Sequence, residues 1–455
     1  MNRTKNEKIT LDIIDMNNLG AGVGKLDDGA VVFVNGAVVG DRVEAKIIKI
    51  GKSFYVARLE RILSASSVRT ERDFCAAPQS CGGCVYRNLT RESELEMKKS
   101  YIEGVFLKAG LADVEILPVI APSAREGYRN KAQYPVRATK NRIKAGFFAN
   151  KTHSIVSDGH CMLEPEIFSE IIDFVCEFAE NHGITAYDEE SGKGILRHIY
   201  LRQGQISGEI MLCLVINADT LPHSDKLKEL TAKRFPSVTS LLININKKNT
   251  NVVTGEKYVT LAGNRYIEDI LCSLRFRITP ESFWQVNRDG AQALYSLAKE
   301  LAELDGSQNI LDLYCGTGTI GLSMADSSSS VTGVEIVQGA VECAKINAQL
   351  NGIENAEFYC ADASETESII PKDKQYDVVI LDPPRKGTTE ELIDYIAKRN
   401  INKVVYISCA PDTLARDCVY FKKLGYTVGK VQPVDMFPVT GHVESVVCLT
   451  RTSKN

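Results

Sequence analysis

Three groups of side chains in this 455-residue sequence have the types and spacing for chemistry. The first is a thiol and a carboxylate. Cys409 closes the apolar run of NKVVYISCAPDTLARD (402–417), and the chain turns at once into Pro411, which should leave the sulfur at the edge of a sheet. Glu444 lies in VDMFPVTGHVESVVCLT (434–450), a terminal strand pair expected to run beside it. A thiolate can add to an electrophilic carbon, and a carboxylate next to it can take a proton from the neighbouring one. The second group sits at successive strand ends. In NILDLYCGTGTIGLSMA (309–325), Gly316 and Gly318 let backbone approach a ligand. Glu335 ends the next strand, 23 residues beyond Asp312, where an acidic side chain typically accepts both hydroxyls of a ribose. Asp362 and Asp382, the latter in YDVVILDPPRKG (376–387), follow on two further strands. The third group is Cys75, Cys81 and Cys84 in CAAPQSCGGC, with Cys161 76 residues after Cys84 counting both ends out. Four thiols suit zinc or a 4Fe–4S cluster, and Cys81 with Cys84 could be a redox pair; the spacing leaves zinc and iron balanced.

The elements that must position these groups follow from patterning. From about residue 280, strands alternate with helices, which predicts a doubly wound parallel sheet whose reactive side chains gather at the carboxyl ends of its strands. Residues 8–62 are short alternating strands broken by Gly and Asp and predict a small OB-like β-barrel. LGAGVGKL within it is Gly-rich, but no helix follows, so it is not read as a phosphate loop. Residues 90–110 predict a helix capped by Thr90, with Glu92 and Glu94 in its first turn and Gly110 closing it. A mixed α+β region fills roughly 126–278.

Composition sets the outer bounds. With 44% hydrophobic and 25% charged residues, the chain reads as globular rather than disordered or collagenous. No apolar run approaches the ~18 residues of a spanning helix, and the start MNRTKNEKIT carries no apolar signal core, so a cytoplasmic protein without a membrane partner is expected. The formal charge is −4, yet residues 1–151 hold 25 Lys/Arg against 17 Asp/Glu. That asymmetry hints at a polyanion bound by the first third. Arg129, Lys131, Arg137, Lys140, Arg142 and Lys144, interleaved with Tyr128, Tyr134 and Phe147, could track a nucleic-acid backbone and stack its bases. A solvated strand face over core aromatics explains the same pattern equally well.

The four polar strand ends together resemble the class I S-adenosylmethionine (SAM)-dependent methyltransferases. Beside a methyl donor, a thiol and a carboxylate suit methylation of uracil C5. Thiolate addition to C6 makes an enolate that attacks the methyl group, and a base then removes the C5 proton so that the thiolate can leave. The segments DPPRKG, SCAPDTLARD, DMFPVTGHVE and SFWQVN (282–287) resemble the RNA uracil-C5-methyltransferase family over essentially the whole chain. The resemblance implies that Gln285, Tyr314, Glu335 and Asp382 contact SAM, with Asp362 near the adenine. It also implies Cys409 as nucleophile, Glu444 as proton-abstracting base and Phe283 at the rim of the pocket. Two positions depart from the family pattern: Ala410 follows the nucleophile, and Val439 stands where a histidine is common.

The Gly-rich hairpin, VFVNGAVVGD and final strand of the first 66 residues resemble the TRAM domain, an RNA-binding barrel. Resemblance to the ribosomal-RNA members also decides the thiol group for a 4Fe–4S cluster on Cys75, Cys81, Cys84 and Cys161. Three domains are expected: a TRAM barrel over 1–66, a cluster-bearing, RNA-binding domain over 67–90 and 126–279, and a Rossmann-like SAM domain over 91–125 and 280–455. The expected activity is methylation of a uridine in 23S ribosomal RNA, with no obligate protein partner. A tRNA uracil-C5-methyltransferase and a non-catalytic RNA-binding iron–sulfur protein are the alternatives.

Overall fold

The computed structural model describes residues 3–70, 75, 81–122, 124–139, 142–149, 152, 154–156, 161–370 and 374–452. Strands Lys8–Met16, Ala21–Lys25, Val31–Asn35, Arg42–Ile50 and Phe54–Ser64 form a closed barrel. Alternation builds it: Ile9, Leu11 and Ile13 point inward while Lys8, Thr10 and Asp12 face out. Closure pairs the first strand with the fourth and leaves no free edge.

The central region is a six-stranded sheet in the order Lys257–Gly263, Val238–Ile245, Ile210–Ile216, Leu196–Gln203, Lys131–Ala138, Ile143–Ala145. The helix Glu166–Asn181 covers one face with Phe168, Ile171, Phe174, Val175 and Phe178.

The C-terminal part is a seven-stranded sheet. Its spatial order is Ala356–Cys360, Ser330–Glu335, Asn309–Leu313, Val378–Leu381, Lys403–Ser408, Glu444–Arg451, Tyr426–Val434. The first five run parallel; Glu444–Arg451 runs antiparallel to them and pairs antiparallel with Tyr426–Val434 at the edge. Val404–Ile407 are all fully buried, as a parallel strand covered on both faces requires. Chain order reverses between Asn309–Leu313 and Val378–Leu381, the place where open α/β sheets bind ligands.

The helix read at 90–110 spans Arg91–Lys108; Thr90 Oγ1 accepts from Ser93 N, and Gly110 takes φ +79 just beyond the cap. It buries Ile102, Val105 and Phe106 in the core shared with Leu414, Cys418 and Phe421 beside the seven-stranded sheet. The chain after it adds to the sheet edge, with Ile116 bridging Val431 and Ile120 bridging Val434. Among the described residues, no helix is long and apolar enough to cross a membrane.

Candidate active site

Register places the two reactive side chains together. Ser408 is the antiparallel partner of Ser445. One residue beyond that pair stand Cys409, just past its strand, and Glu444, the first residue of its own. Asp382 follows Leu381, whose parallel partner is Tyr406 on the Cys409 strand. The groups feel one another electrically. Glu444 is 4% exposed, and burial first, then the Asp382 charge, push its carboxyl up to about 8 against a pull from Arg385. Burial pushes the half-buried Cys409 thiol up to about 11, with Glu444 and Asp382 adding to the rise and Arg385 opposing it. Asp382 is raised to about 7 by burial. The edge therefore holds a protonated thiol and two acids that titrate near neutrality, a pattern common at reactive sites.

The donor side is built at the strand ends of the same sheet. Tyr314, Gly316 and Gly318 all take positive φ, at +66, +54 and +80. At Gly318 a Cβ would sit 3.1 Å from side-chain atoms of Ala344, Leu322 and Phe358, so a side chain there would meet a strained backbone and tight packing. Glu335 ties this turn to its strand: Oε2 accepts from Gly316 N at 3.1 Å and Oε1 from Val337 N at 2.9 Å. Below it, the buried Asp312 accepts from Gly321 N at 2.9 Å and is raised to about 7 by burial. Asp362 is exposed, and its Oδ1 takes hydrogen bonds from Ser364, which hold its pKa low. The Tyr314 hydroxyl meets Thr388 Oγ1 at 3.3 Å. Gln285 is buried; it and Thr319 reach the hydroxyl of Tyr295, which also feels Asp382. Gln285, Tyr314, Gly316, Gly318, Glu335 and Asp382 thus converge on one end of the sheet, with Asp362 linked to them through its field at Tyr314.

Sequence reasoning passed over two groups here. Arg385 was visible inside DPPRKG but was not singled out, because only the aspartate of that motif had a stated task; its charge is the one that offsets the acids. Asp417 accepts from Thr388 N at 3.0 Å and from the Tyr406 hydroxyl at 2.6 Å, fixing the end of the DPPRKG loop. As an acid inside a helix it gave no signal.

The basic, aromatic stretch turns out to be partly interior. Tyr128 and Tyr134 are buried, and Tyr134 donates to the buried Glu164. Phe147 packs on Tyr134 with ring centroids 5.1 Å apart. Lys131 lies 5.4 Å over the Tyr200 ring, and burial lowers its amine to about 7. The core explanation of these aromatics therefore prevails at Tyr128 and Tyr134. Arg129 is half-buried and feels the Glu164 carboxyl. Lys140 lies outside the described residues. Phe283 is 67% exposed, although its neighbour Trp284 is 4% exposed.

The four thiols of the third group come together although 76 residues of chain separate two of them. Cys84 is pushed up to about 12 by burial, then by Cys81 and Cys75; Cys161 is raised by burial and by Glu164, Cys84 and Cys81 among others. Cys75, Cys84 and Cys161 pack with Tyr128, Leu163 and Val439. Among the described residues, no set of three or more His, Cys, Asp or Glu side chains is arranged to grip a single metal ion.

A family described as tRNA (uracil-5-)-methyltransferase matches residues 90–452, and the TRAM domain matches residues 2–58. The chain belongs to this methyltransferase family. It is a SAM-dependent RNA (uracil-5-)-methyltransferase with an N-terminal TRAM barrel. It is 40% identical over 454 residues to an uncharacterized RNA methyltransferase of Clostridium acetobutylicum, covering 99% of this chain and 98% of that one. A Bacillus cereus protein described in the same words is 41% identical over 450 residues, covering 98% and 97%. Among solved structures, it is similar to the Pyrococcus abyssi tRNA (uracil-54, C5)-methyltransferase in complex with S-adenosyl-L-homocysteine. That match has a TM-score of 0.79 at 27% identity and covers 97% of this chain and 100% of the other.

Proposed function

We propose that this enzyme methylates C5 of a uridine in 23S ribosomal RNA through a covalent adduct on Cys409. The carrying observation is the pairing of Cys409 with Glu444 at the strand ends where the donor-side residues converge. The Cys409 thiolate bonds to C6, and the ring electrons move onto the C4 oxygen as an enolate. C5 then takes the methyl group from the sulfonium of SAM. Glu444 accepts the C5 proton, the C5–C6 double bond re-forms, and the thiolate leaves. Gln285, Tyr314, Gly316, Gly318, Glu335, Asp362 and Asp382 are assigned to SAM. The target base must be turned out of its stack to reach Cys409; exposed Phe283 offers it a stacking surface, and Arg129 a cation. Lys131 and Phe147, engaged inside the protein, are set aside from this role. The three domains are assigned as 1–66, 67–90 with 126–279, and 91–125 with 280–455.

RNA carrying 5-fluorouridine tests the chemistry, because the fluorine at C5 cannot be removed as a proton. Cys409→Ala should abolish the denaturation-resistant adduct, and an adduct in that variant would place the nucleophile elsewhere. Glu444→Gln should accumulate an adduct on ordinary RNA.

A tRNA substrate is the second reading. The Pyrococcus abyssi enzyme acts on tRNA and aligns with 97% of this chain, barrel included, so a barrel does not by itself select ribosomal RNA. Nucleoside mass analysis of tRNA and rRNA from a deletion strain separates the two. Loss of 5-methyluridine from tRNA alone would overturn the ribosomal assignment.

We further infer a 4Fe–4S cluster on Cys75, Cys81, Cys84 and Cys161. The fit rests on an all-thiol donor set in which Cys84 and Cys161 feel the neighbouring thiols, with Cys75, Cys84 and Cys161 partly buried against Tyr128 and Val439. Bound there, it would supply a cross-link between the 75–84 segment and Cys161, and no step of methyl transfer passes through it. Iron and sulfide should co-purify with the chain and fall with each Cys→Ala change; stoichiometric zinc instead would refute the assignment.

A further inference from the structure

The loop 435–443, which leads directly into Glu444, has no regular secondary structure. Its backbone groups must therefore find partners elsewhere. Four consecutive carbonyls are each taken by a different part of the chain. Met436 O accepts from Asn287 Nδ2 at 2.9 Å and Phe437 O from Lys98 Nζ at 3.1 Å. Pro438 O accepts from the Tyr128 hydroxyl at 3.2 Å and Val439 O from Tyr86 N at 2.9 Å. The barrel also touches the loop: a Cβ on Gly441 would lie 1.7 Å from Asn18 O.

Val439 is the unusual member. It takes φ +61, a left-handed backbone that a β-branched residue resists, and it is fully buried. Such a conformation persists only where its surroundings impose it. Here Val439 N donates to Glu94 Oε1 at 2.5 Å on one side while Tyr86 N holds its carbonyl on the other. Glu94 is itself fully buried and fixed from several directions. Lys98 Nζ lies 2.9 Å from its Oε1; Arg91 and Arg125 lie 3.1 and 3.2 Å from its Oε2. Lys98 and Arg91 also clamp Asp435 at the start of the loop, at 2.6 and 2.5 Å. A buried charge network with net excess of one cation thus grips both Asp435 and Val439, five residues ahead of Glu444.

We propose that Glu94 is a positioning residue for proton abstraction: it imposes the left-handed turn at Val439 and so sets where Glu444 stands. This rests on the reading of Glu444 as the base. It assigns a task to the departure from the family pattern at position 439, since the strained valine makes the loop depend on Glu94.

The test separates addition from proton removal in the full-length enzyme with SAM. Capture of 5-fluorouridine RNA reports Cys409 addition and methyl transfer; tritium release from RNA labelled at uridine C5 reports proton removal. Glu94→Gln should slow tritium release by about tenfold or more, the scale of losing a charge-assisted hydrogen bond, while capture stays within about twofold. Adding Val439→Gly, which accepts φ +61 freely, should restore release. Should Glu94→Gln lose its fold, Glu94→Gln with Arg125→Gln keeps the wild-type net charge of the network and is read in the same way. Capture and release falling together in soluble enzyme, or no rescue by glycine, would overturn the proposal. Wild-type tritium release by Glu444→Gln is a separate result: it removes Glu444 as base, and the positioning task with it.

Discussion

Replacing Glu444 by glutamine should make Cys409 more reactive, and only above the pH at which Glu444 ionises. The Cys409 thiol is raised from 9.0 to about 11, with burial the largest cause and the Glu444 charge next. The gain from removing that charge is therefore bounded by about two units and is less than the whole, because burial remains. A one-unit fall multiplies the thiolate fraction about tenfold well below the pKa. The less basic thiolate is also a weaker nucleophile, which at a Brønsted slope of ~0.5 gives back about threefold, leaving a net increase of about threefold. Glu444 itself is raised to about 8. Near pH 6 it is protonated and resembles the neutral glutamine, so variant and wild type should react alike; near pH 9.5 the threefold difference should be fully developed.

The assay is iodoacetamide alkylation from pH 6 to 9.5, read at the Cys409 peptide by mass spectrometry because the chain has 13 cysteines. A ratio of one across the whole range would refute the electrostatic coupling. So would a slower variant at high pH, and either result would separate the thiol from the proposed base.

Glu444 has a raised folded pKa, so it costs no stability below its unfolded value near 4.5, destabilises the fold progressively as pH rises above that, and reaches its full cost above about 8. Glu444→Gln should therefore melt higher than wild type at pH 9, by at most a few kcal/mol and without a difference near pH 4.5; equal melting at pH 9 would contradict the burial argument. Gly318→Ala should lose about 1–2 kcal/mol of stability from its φ of +80 and weaken SAM binding about tenfold by calorimetry, and unchanged affinity would show that the turn adapts. With SAM bound, Cys409 should alkylate faster than with S-adenosyl-L-homocysteine, since the two differ by a methyl group and one positive charge; equal rates would place the sulfonium outside the reach of the thiol.

Much of this architecture was legible because it is local or periodic. The helix at Arg91–Lys108 announced itself through Thr90 and Gly110, and the parallel strands through unbroken apolar runs such as VVYI. The convergence of Cys409 and Glu444 followed from placing both at ends of neighbouring strands. The stretch around Tyr134 was ambiguous because charge was weighed above alternation. Ala132, Tyr134 and Val136 form the buried face, so the period of two marked the core side. Glu94, Lys98 and Asp435 were not legible at all: charged residues on a helix ordinarily read as a solvated face. Their burial depends on contacts across more than 330 residues of sequence.

The crowding of acids at this edge looks at first like a defect, since Asp382 raises Glu444 and both acids disfavour the Cys409 thiolate that the proposed reaction needs. The proposed reaction resolves it through the order in which charge changes. Before transfer, the donor brings a sulfonium to a site where Asp382 is expected by resemblance to contact it. That cation favours both carboxylates and the thiolate, which is the state addition requires. Transfer neutralises the sulfonium to a thioether while the enzyme keeps its acids. With that opposing charge gone, the pKa of Glu444 moves back toward about 8, so the carboxylate becomes a stronger base at the step where the C5 proton must leave. A lone, well-solvated glutamate would be ionised throughout but would stay weakly basic. In the proposed reaction, burial beside Asp382 would be the source of the strength of Glu444 as a base, with the donor's own charge timing its use.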